Sequence, residues 1–223
     1  HIDGDLRDVV ANDAGVFVSR FRTAEIVHLD PSSGQLRARM MPPSPSEDAE
    51  VNTLWRMAEG ADQTLLLAYQ ASSLNPFVLF AREDENGEIV RNPGESYYGQ
   101  QGPCGPSPVG AVTAVLDPRG HSDGEASASP ATCMRGDGLP VDVDRAPCGA
   151  GVAGLVGAGS YLHRGTQRSP LRMEECALDG QLVIPSHHDA LAMQTTREGG
   201  VVVLARGETL SLSFQVAPSE ASR

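Results

Sequence analysis

The sequence predicts an all-β fold made of antiparallel meanders of the β-propeller kind, with about four to five blades in a complete or incomplete ring. The opening stretch Leu6–Gln35 has apolar runs that end at two turn-forming segments, Asn12–Gly15 and Asp30–Gly34. The chain also has 24 glycines, 16 prolines and only 4% aromatic residues, which favours short strands over long helices. Blade-sized groups recur about every 45 residues. A β-sandwich of similar meanders is the alternative.

The individual strands are predicted from apolar and β-branched runs that lie between Gly, Pro, Asn and Asp clusters. Asp84–Gly87 contains an Asn-Gly pair, which favours a tight hairpin because both residues accept positive φ. Glu47–Arg56 has a helix-like composition, but β-branched residues interrupt it and prolines precede it, so we predict no helix there. The predicted strands are three within 6–35, then Leu36–Met40, Val51–Met57, Thr64–Gln70, Phe77–Arg82, Glu88–Val90, Ala111–Asp117, Leu139–Asp144, Val152–Val156, Ser160–His163, Gln181–Pro185, Leu191–Thr195, Val201–Arg206 and Thr209–Phe214.

The chain is expected to form one domain. With 223 residues it is long enough for one sizeable core, which we place in residues 1–216. Residues 217–223 are predicted to be a disordered tail. Residues 118–130 are rich in Gly, Ser and Asp and are predicted to form a long flexible loop.

Charge and hydropathy argue against two classes of partner, nucleic acids and membranes. The formal net charge is -12, and the 17 basic residues are scattered, so we expect no nucleic-acid binding. No apolar run approaches the ~20 residues of a membrane span, so we expect no membrane insertion. A protein or peptide partner remains the expectation.

The four cysteines, Cys104, Cys133, Cys148 and Cys176, are candidates for disulfides. None forms a Cys-x-x-Cys pair, and four cysteines allow three pairings. The simplest disulfide joins Cys133 to Cys148 across a Gly/Pro-rich loop. Two disulfides would indicate a periplasmic or secreted protein, and buried free thiols in a cytoplasmic protein are the alternative.

A metal ion has only weak candidate ligands. His187, His188 and Asp189 carry suitable donors, but adjacent side chains on a strand point to opposite faces, so a bend at Pro185 would be needed. A polar turn is the alternative, and no cofactor is predicted. Six aspartates could offer oxygens to calcium, but their spacing fits no EF-hand loop, so we expect solvated strand-end carboxylates. They are Asp3, Asp5, Asp8, Asp137, Asp142 and Asp144.

Five side chains form a candidate partner-binding rim if the blades are placed correctly. They belong to the residue types that anchor protein interfaces. The alternative is packing and ion pairing within the propeller, with partners such as Asp8 and Asp30. The five are Arg20, Arg22, Trp55, Arg56 and Tyr69.

No known catalytic motif is present in the sequence. It contains no Gly-x-Ser-x-Gly elbow and no phosphate-binding glycine motif. We therefore expect a non-catalytic binding or scaffolding propeller that docks a protein or peptide partner. A metal-dependent propeller hydrolase is an alternative, because propellers host enzymes as well as binding proteins.

Several short segments resemble the YVTN-like β-propeller part of bacterial, largely myxobacterial, propeller/di-haem cytochrome c peroxidase (MauG-like) fusion proteins. The segments are Leu6-Arg7-Asp8-Val9-Val10, Val18-Ser19-Arg20-Phe21-Arg22-Thr23-Ala24-Glu25, Trp55-Arg56, Tyr69-Gln70, Tyr98-Gly99, Cys104-Gly105, Ala111-Val112-Thr113 and Leu139-Pro140-Val141-Asp142-Val143. The resemblance implies a propeller, export and a haem-bearing partner chain, so an accessory propeller of a split or truncated di-haem enzyme is a further alternative. The Cys-x-x-Cys-His motif that attaches haem is absent, and no catalytic residue is carried over.

Overall fold

The structure is a computed structural model that describes residues 4–74, 82–83, 86, 89–90, 103–104, 108–120, 127–128, 130–134, 139–145, 152–156, 171–173, 190–195, 200–205 and 208–213. This part of the chain contains strands, one short 3-10 turn at Ala61–Gln63 and no α-helix. The strands are β1 (Leu6–Asn12), β2 (Gly15–Arg20), β3 (Ile26–Leu29), β4 (Leu36–Met40), β5 (Ala49–Glu59), β6 (Leu65–Ser73), β7 (Arg82–Glu83), β8 (Ile89–Val90), β9 (Val109–Asp117), β10 (Ser127–Ala128), β11 (Thr132–Met134), β12 (Pro140–Arg145), β13 (Val152–Val156), β14 (Leu171–Met173), β15 (Ala190–Thr195), β16 (Gly200–Ala205) and β17 (Glu208–Ser213).

The strands form successive antiparallel meanders. The first sheet has the order β1-β2-β3-β4, and the second has the order β5-β6-β9, with β10 and β11 both paired to the far edge of β9. The third and fourth sheets are β12-β13-β14 and β15-β16-β17, and β7-β8 is a separate hairpin. The first strands of the sheets, called the inner strands below, contact one another in the order β1, β5, β12, β15. This arrangement confirms the all-β, propeller-like prediction.

Most predicted strands in the described ranges are present, including all four strands of the first sheet. The predicted strand Phe77–Arg82 is described only at its end, and Ser160–His163, Gln181–Pro185 and the tail at 217–223 lie outside the described residues. Within the predicted loop 118–130, Ser127–Ala128 pair with the end of β9. The domain bounds stay predictions.

The main core lies between the first two sheets. Side chains from both sheets are fully excluded from water, among them Phe17, Ile26, Leu54, Leu67 and Tyr69. A second cluster, with Leu66, Ala68 and Val143, packs the second sheet against the third. Since complete burial of such an apolar side chain contributes about 1.5–3 kcal/mol, these two layers hold the inner strands in place.

The structure contains one disulfide among the described residues, and it differs from the simplest prediction. Cys104 is bonded to Cys133, with 5.2 Å between their Cα atoms, so the expected Cys133–Cys148 pairing is wrong. The reason is the pairing of β11 with β9, which sets Cys133 opposite Val112, while Cys104 packs against Gly110 of the same strand. Cys148 and Cys176 lie outside the described residues.

Candidate functional site

Each of the four inner strands carries a β-bulge, where one extra residue interrupts the pairing with the next strand. The extra residues are Arg7 in β1, Trp55 in β5, Val141 in β12 and Leu191 in β15. Strand β5 has a second bulge at Asn52. A bulge redirects the side chains around it, so the inner strands depart from simple alternation at equivalent points of the four sheets.

The residues that follow these bulges are Asp8, Arg56, Asp142 and Ala192. The first three form two ion pairs that share Arg56 and span three sheets, called the ion-pair network below. Arg56 Nη1 lies 3.2 Å from Asp8 Oδ2. Its Nε donates to Asp142 Oδ1 at 3.1 Å. One guanidinium therefore joins the inner strands β1, β5 and β12.

Both carboxylates of the ion-pair network are largely removed from water. The Asp142 side chain is 6% exposed and the Asp8 side chain 15%, while Arg56 is 43% exposed. Burial lowers the pKa of Arg56, but the hydrogen bond from Arg56 to Asp142 and the charges of Asp8 and Asp142 outweigh it, so the pKa lies above its usual value. The two carboxylates therefore offset the cost of partly burying the Arg56 guanidinium at this junction.

The two aspartates are also bound by backbone groups. Asp8 Oδ2 accepts a hydrogen bond from the Met57 N–H at 3.0 Å, and Asp142 Oδ1 accepts one from the Val143 N–H at 3.0 Å. The expectation that Asp8 and Asp142 are solvated strand-end carboxylates is therefore wrong. The bulges bring each beside a neighbouring strand, where burial requires a cationic partner.

A group of three side chains lies beside the ion-pair network. It consists of Arg7, Phe21 and Trp55 and is called the aromatic–arginine cluster below. The Arg7 guanidinium carbon is 5.4 Å from the centroid of the Phe21 ring and 5.4 Å from that of the Trp55 ring. The two rings meet edge to face, with centroids 5.0 Å apart and planes at 89°. These distances fall within the range of cation–π and aromatic pair interactions.

Hydrogen bonds fix the orientation of two members of the cluster. Arg7 Nε donates to the Trp55 carbonyl oxygen at 3.3 Å. The Trp55 indole N–H donates to Gln70 Oε1 at 3.1 Å. The two bulged residues of neighbouring inner strands are thus in direct contact, and the indole is held by the next strand, β6.

Phe21 is held by its backbone, in the connection between β2 and β3. Its N–H donates to the Asp5 carbonyl oxygen at 2.8 Å, and its own carbonyl accepts from the Leu54 N–H at 3.0 Å. The Arg22 N–H donates to Asp5 Oδ2 at 2.6 Å. The N–H groups of Phe21, Arg22 and Leu54 are therefore already engaged in hydrogen bonds.

Arg7 is exposed, and among the described residues no carboxylate forms an ion pair with it. The arginines of the outer strands behave differently. Arg20 and Arg39 both pair with Glu25, at 2.8 and 2.6 Å. Burial raises the pKa of Glu25, but hydrogen bonds from Arg20 and Arg39 outweigh it and bring the pKa below its usual value.

The structure separates the five predicted rim residues. Trp55 and Arg56 are adjacent: Trp55 belongs to the aromatic–arginine cluster, and Arg56 belongs to the ion-pair network. Arg22 is 85% exposed and lies 3.9 Å from Asp5, whereas Arg20 is 18% exposed and bound to Glu25. Tyr69 is fully buried, and its hydroxyl donates to the Pro43 carbonyl at 2.6 Å, so it cannot contact a partner in this conformation.

Sequence reasoning did not select Arg7 and Phe21 for the rim. A signal for Arg7 is present in the similarity of two segments, Leu6-Arg7-Asp8-Val9 and Leu54-Trp55-Arg56-Met57, which have the same succession of an apolar residue, a bulged residue, a charged residue and an apolar residue. Aligning them places Arg7 at the position of Trp55. We find no comparable signal for Phe21.

The metal candidates His187, His188 and Asp189 lie outside the described residues and stay a prediction. In the described ranges, no group of three or more His, Cys, Asp or Glu side chains could hold a metal ion. The same part of the chain contains no helix with the length and apolar character of a membrane span.

No protein-family model matches the chain, and no curated protein matches it. Among solved structures, the β-propeller domain of Myceliophthora thermophila Cps50 (Swd1) is 11% identical, with a TM-score of 0.41 over 100% of this chain and 69% of that chain. Streptogramin B lyase is 9% identical, with a TM-score of 0.24 over 98% of this chain and 86% of that chain. Because both scores are low, the fold assignment depends on the strand pairing given above. Neither match supports the finer resemblance to haem-linked MauG-like fusions.

Proposed function

We propose that this chain is a non-catalytic binding propeller that docks a protein or peptide partner on the aromatic–arginine cluster. The observation that carries the proposal is Arg7, an exposed guanidinium held against two aromatic rings and without an ion-pair partner among the described residues. Arginine and tryptophan are the residue types most enriched at the energetic centres of protein interfaces.

The cluster is prepared for binding before a partner arrives. Ordering a long side chain at an interface costs about 0.5–1.5 kcal/mol, and the ring contacts of Arg7 and its bond to the Trp55 carbonyl already restrict it. The indole is likewise held by Gln70. A partner therefore meets side chains that have lost much of their freedom.

Two of the three cluster residues also stand on paired strands. Arg7 and Trp55 belong to inner strands that Arg56 joins through Asp8 and Asp142. Sites built on packed strands hold their geometry better than sites on loops. This supports the role of the sheets as a scaffold for the cluster.

An exported location is part of the proposal. The Cys104–Cys133 disulfide supports a periplasmic or secreted protein, because disulfides persist in oxidising compartments and are rare in the cytosol. The net charge of -12 favours a protein or peptide over a nucleic acid.

The proposal is tested by selecting binders from a displayed random-peptide library against the immobilised chain. We expect enriched peptides whose affinity falls about tenfold or more in Arg7→Ala and in Trp55→Phe, the range for an interface centre. Arg119→Ala is the matched control, because Arg119 is an exposed arginine on the turn after β9, paired with Asp117. Circular dichroism verifies that each variant is folded. Failure to enrich any peptide, or equal affinity for wild type and both cluster variants, would overturn the proposal.

A further inference from the structure

We infer that the partner places the carboxylate of an Asp or Glu side chain on the Arg7 guanidinium, within a peptide segment that is otherwise neutral or basic. This inference rests on the proposed function and specifies the chemistry of the ligand. Two arginines on neighbouring inner strands, Arg7 and Arg56, differ in how their guanidinium groups are paired.

Arg56 is bound on two sides, by Asp8 and by Asp142. Arg7 uses only its Nε, on the Trp55 carbonyl, and its two Nη nitrogens have no hydrogen-bond partner among the described residues. Two neighbouring N–H donors of a guanidinium match the two oxygens of a carboxylate, and such charge-assisted pairs are about twice as strong as neutral hydrogen bonds. A carboxylate is therefore the group that best satisfies the two Arg7 Nη nitrogens, which are unpaired within the described ranges.

The rings add a second preference. A carboxylate seated on a guanidinium that lies 5.4 Å from both the Phe21 and the Trp55 ring centroid has the remaining part of its own side chain close to two half-buried aromatic rings. The methylene groups of Asp or Glu and apolar neighbours in the peptide can cover those rings. A small inorganic anion would gain only the charge contact.

The neighbouring backbone argues against a peptide C-terminus as the source of the carboxylate. Terminal carboxylates are captured by groups of free backbone N–H donors. The N–H groups of Phe21, Arg22 and Leu54 are already donated to Asp5 or to Phe21. What the cluster offers is a side-chain cation, which suits a side-chain carboxylate.

The charge of the whole chain limits the ligand to few acidic groups. At a net charge of -12, a strongly acidic segment is repelled before it reaches the surface. Asp5 lies next to the cluster, where its carbonyl oxygen accepts a hydrogen bond from the Phe21 N–H, and its carboxylate favours neutral or basic residues beside the bound acid. A single acidic residue in a neutral or basic segment satisfies both conditions.

Three pools of synthetic nonapeptides test the inference against the folded full chain. The first pool has a central Glu and an amidated C-terminus, the second a central Gln and an amidated C-terminus, and the third a central Gln and a free C-terminus. All other positions are drawn from neutral and basic residues. Retention on the immobilised chain is measured for wild type, Arg7→Gln, Trp55→Phe and Arg119→Ala.

We expect wild type to retain the first pool about tenfold more than the second, and Arg7→Gln to reduce this ratio to about one. Arg119→Ala, a change at an exposed arginine outside the cluster that pairs with Asp117, should preserve the ratio and serves as the control. Preferential retention of the third pool would overturn the side-chain source in favour of a C-terminus. Equal retention of all pools, lost in Trp55→Phe, would overturn the inference while the proposed function stands. No retention of any pool, together with no enrichment from the displayed library, would overturn both.

Discussion

Replacing Arg56 with methionine tests the cross-sheet ion pairing directly. The change removes one cation and leaves two carboxylates, of which Asp142 is 6% exposed and Asp8 15% exposed. Breaking a buried ion pair from one side costs about 3–5 kcal/mol. Because Arg56 itself is 43% exposed, water supplies part of the lost interaction, and we expect a loss of about 2–3 kcal/mol in the free energy of unfolding.

Equilibrium urea unfolding, followed by far-ultraviolet circular dichroism, measures this loss. The double variant Arg56→Met/Asp142→Asn should recover about 1 kcal/mol or more relative to the single variant, because the most buried unpaired charge is then absent. Arg119→Met removes an exposed arginine that pairs with one aspartate and should leave stability almost unchanged. A free energy of unfolding within about 0.5 kcal/mol of wild type for Arg56→Met would refute the reasoning.

Three further predictions concern other parts of the structure. Gly15→Ala should lower the free energy of unfolding by about 2 kcal/mol or more, because the φ of Gly15 is +152° and the added methyl group would lie 2.7 Å from Cδ2 of His28. A urea midpoint equal to that of the wild type would contradict this. Replacing both Cys104 and Cys133 with serine should cost up to about 3–4 kcal/mol, the loop-closure value for a separation of 29 residues, and an unchanged melting temperature would count against the disulfide. The folded pKa of Glu25 lies below 4.5, so its stabilisation is complete above pH 4.5 and is lost as the pH falls through the folded pKa. Glu25→Gln should therefore show a smaller loss of stability on acidification, and an acid profile identical to wild type would exclude this contribution.

The first sheet could be predicted from the sequence because its turns are local. Asp30 Oδ1 accepts hydrogen bonds from the N–H groups of Ser32 and Ser33, at 3.0 and 2.8 Å, and Gly34 adopts a φ of +67°. The backbone bond from Ser33 and the hydrogen bond from Arg37 lower the pKa of Asp30 far below its usual range. All the information for this turn lies within eight consecutive residues, which is why the Asp-x-x-x-Gly pattern identifies it.

The disulfide and the aromatic–arginine cluster depend on contacts between residues that are distant in sequence. Cys133 reaches Cys104 only because β11 pairs with β9, and no local pattern fixes that pairing. At the cluster, strict alternation along β1 and β5 would assign side chains to the wrong faces, because each bulge shifts the register by one residue. The residue types of an interface were recognisable at Trp55 and Arg56, whereas the role of Arg7 depends on where the bulge lies.

The emission of Trp55 gives the most direct test of the proposed binding site, because this chain has a single tryptophan and it belongs to the aromatic–arginine cluster. The wild-type chain is titrated with the central-Glu peptide pool while binding is followed independently by biolayer interferometry. We expect a saturable change in tryptophan emission with the same midpoint as binding, and both midpoints about tenfold higher in Arg7→Gln. Binding that saturates without any change in Trp55 emission, or that persists unchanged in Arg7→Gln, would contradict the placement of the partner on the aromatic–arginine cluster.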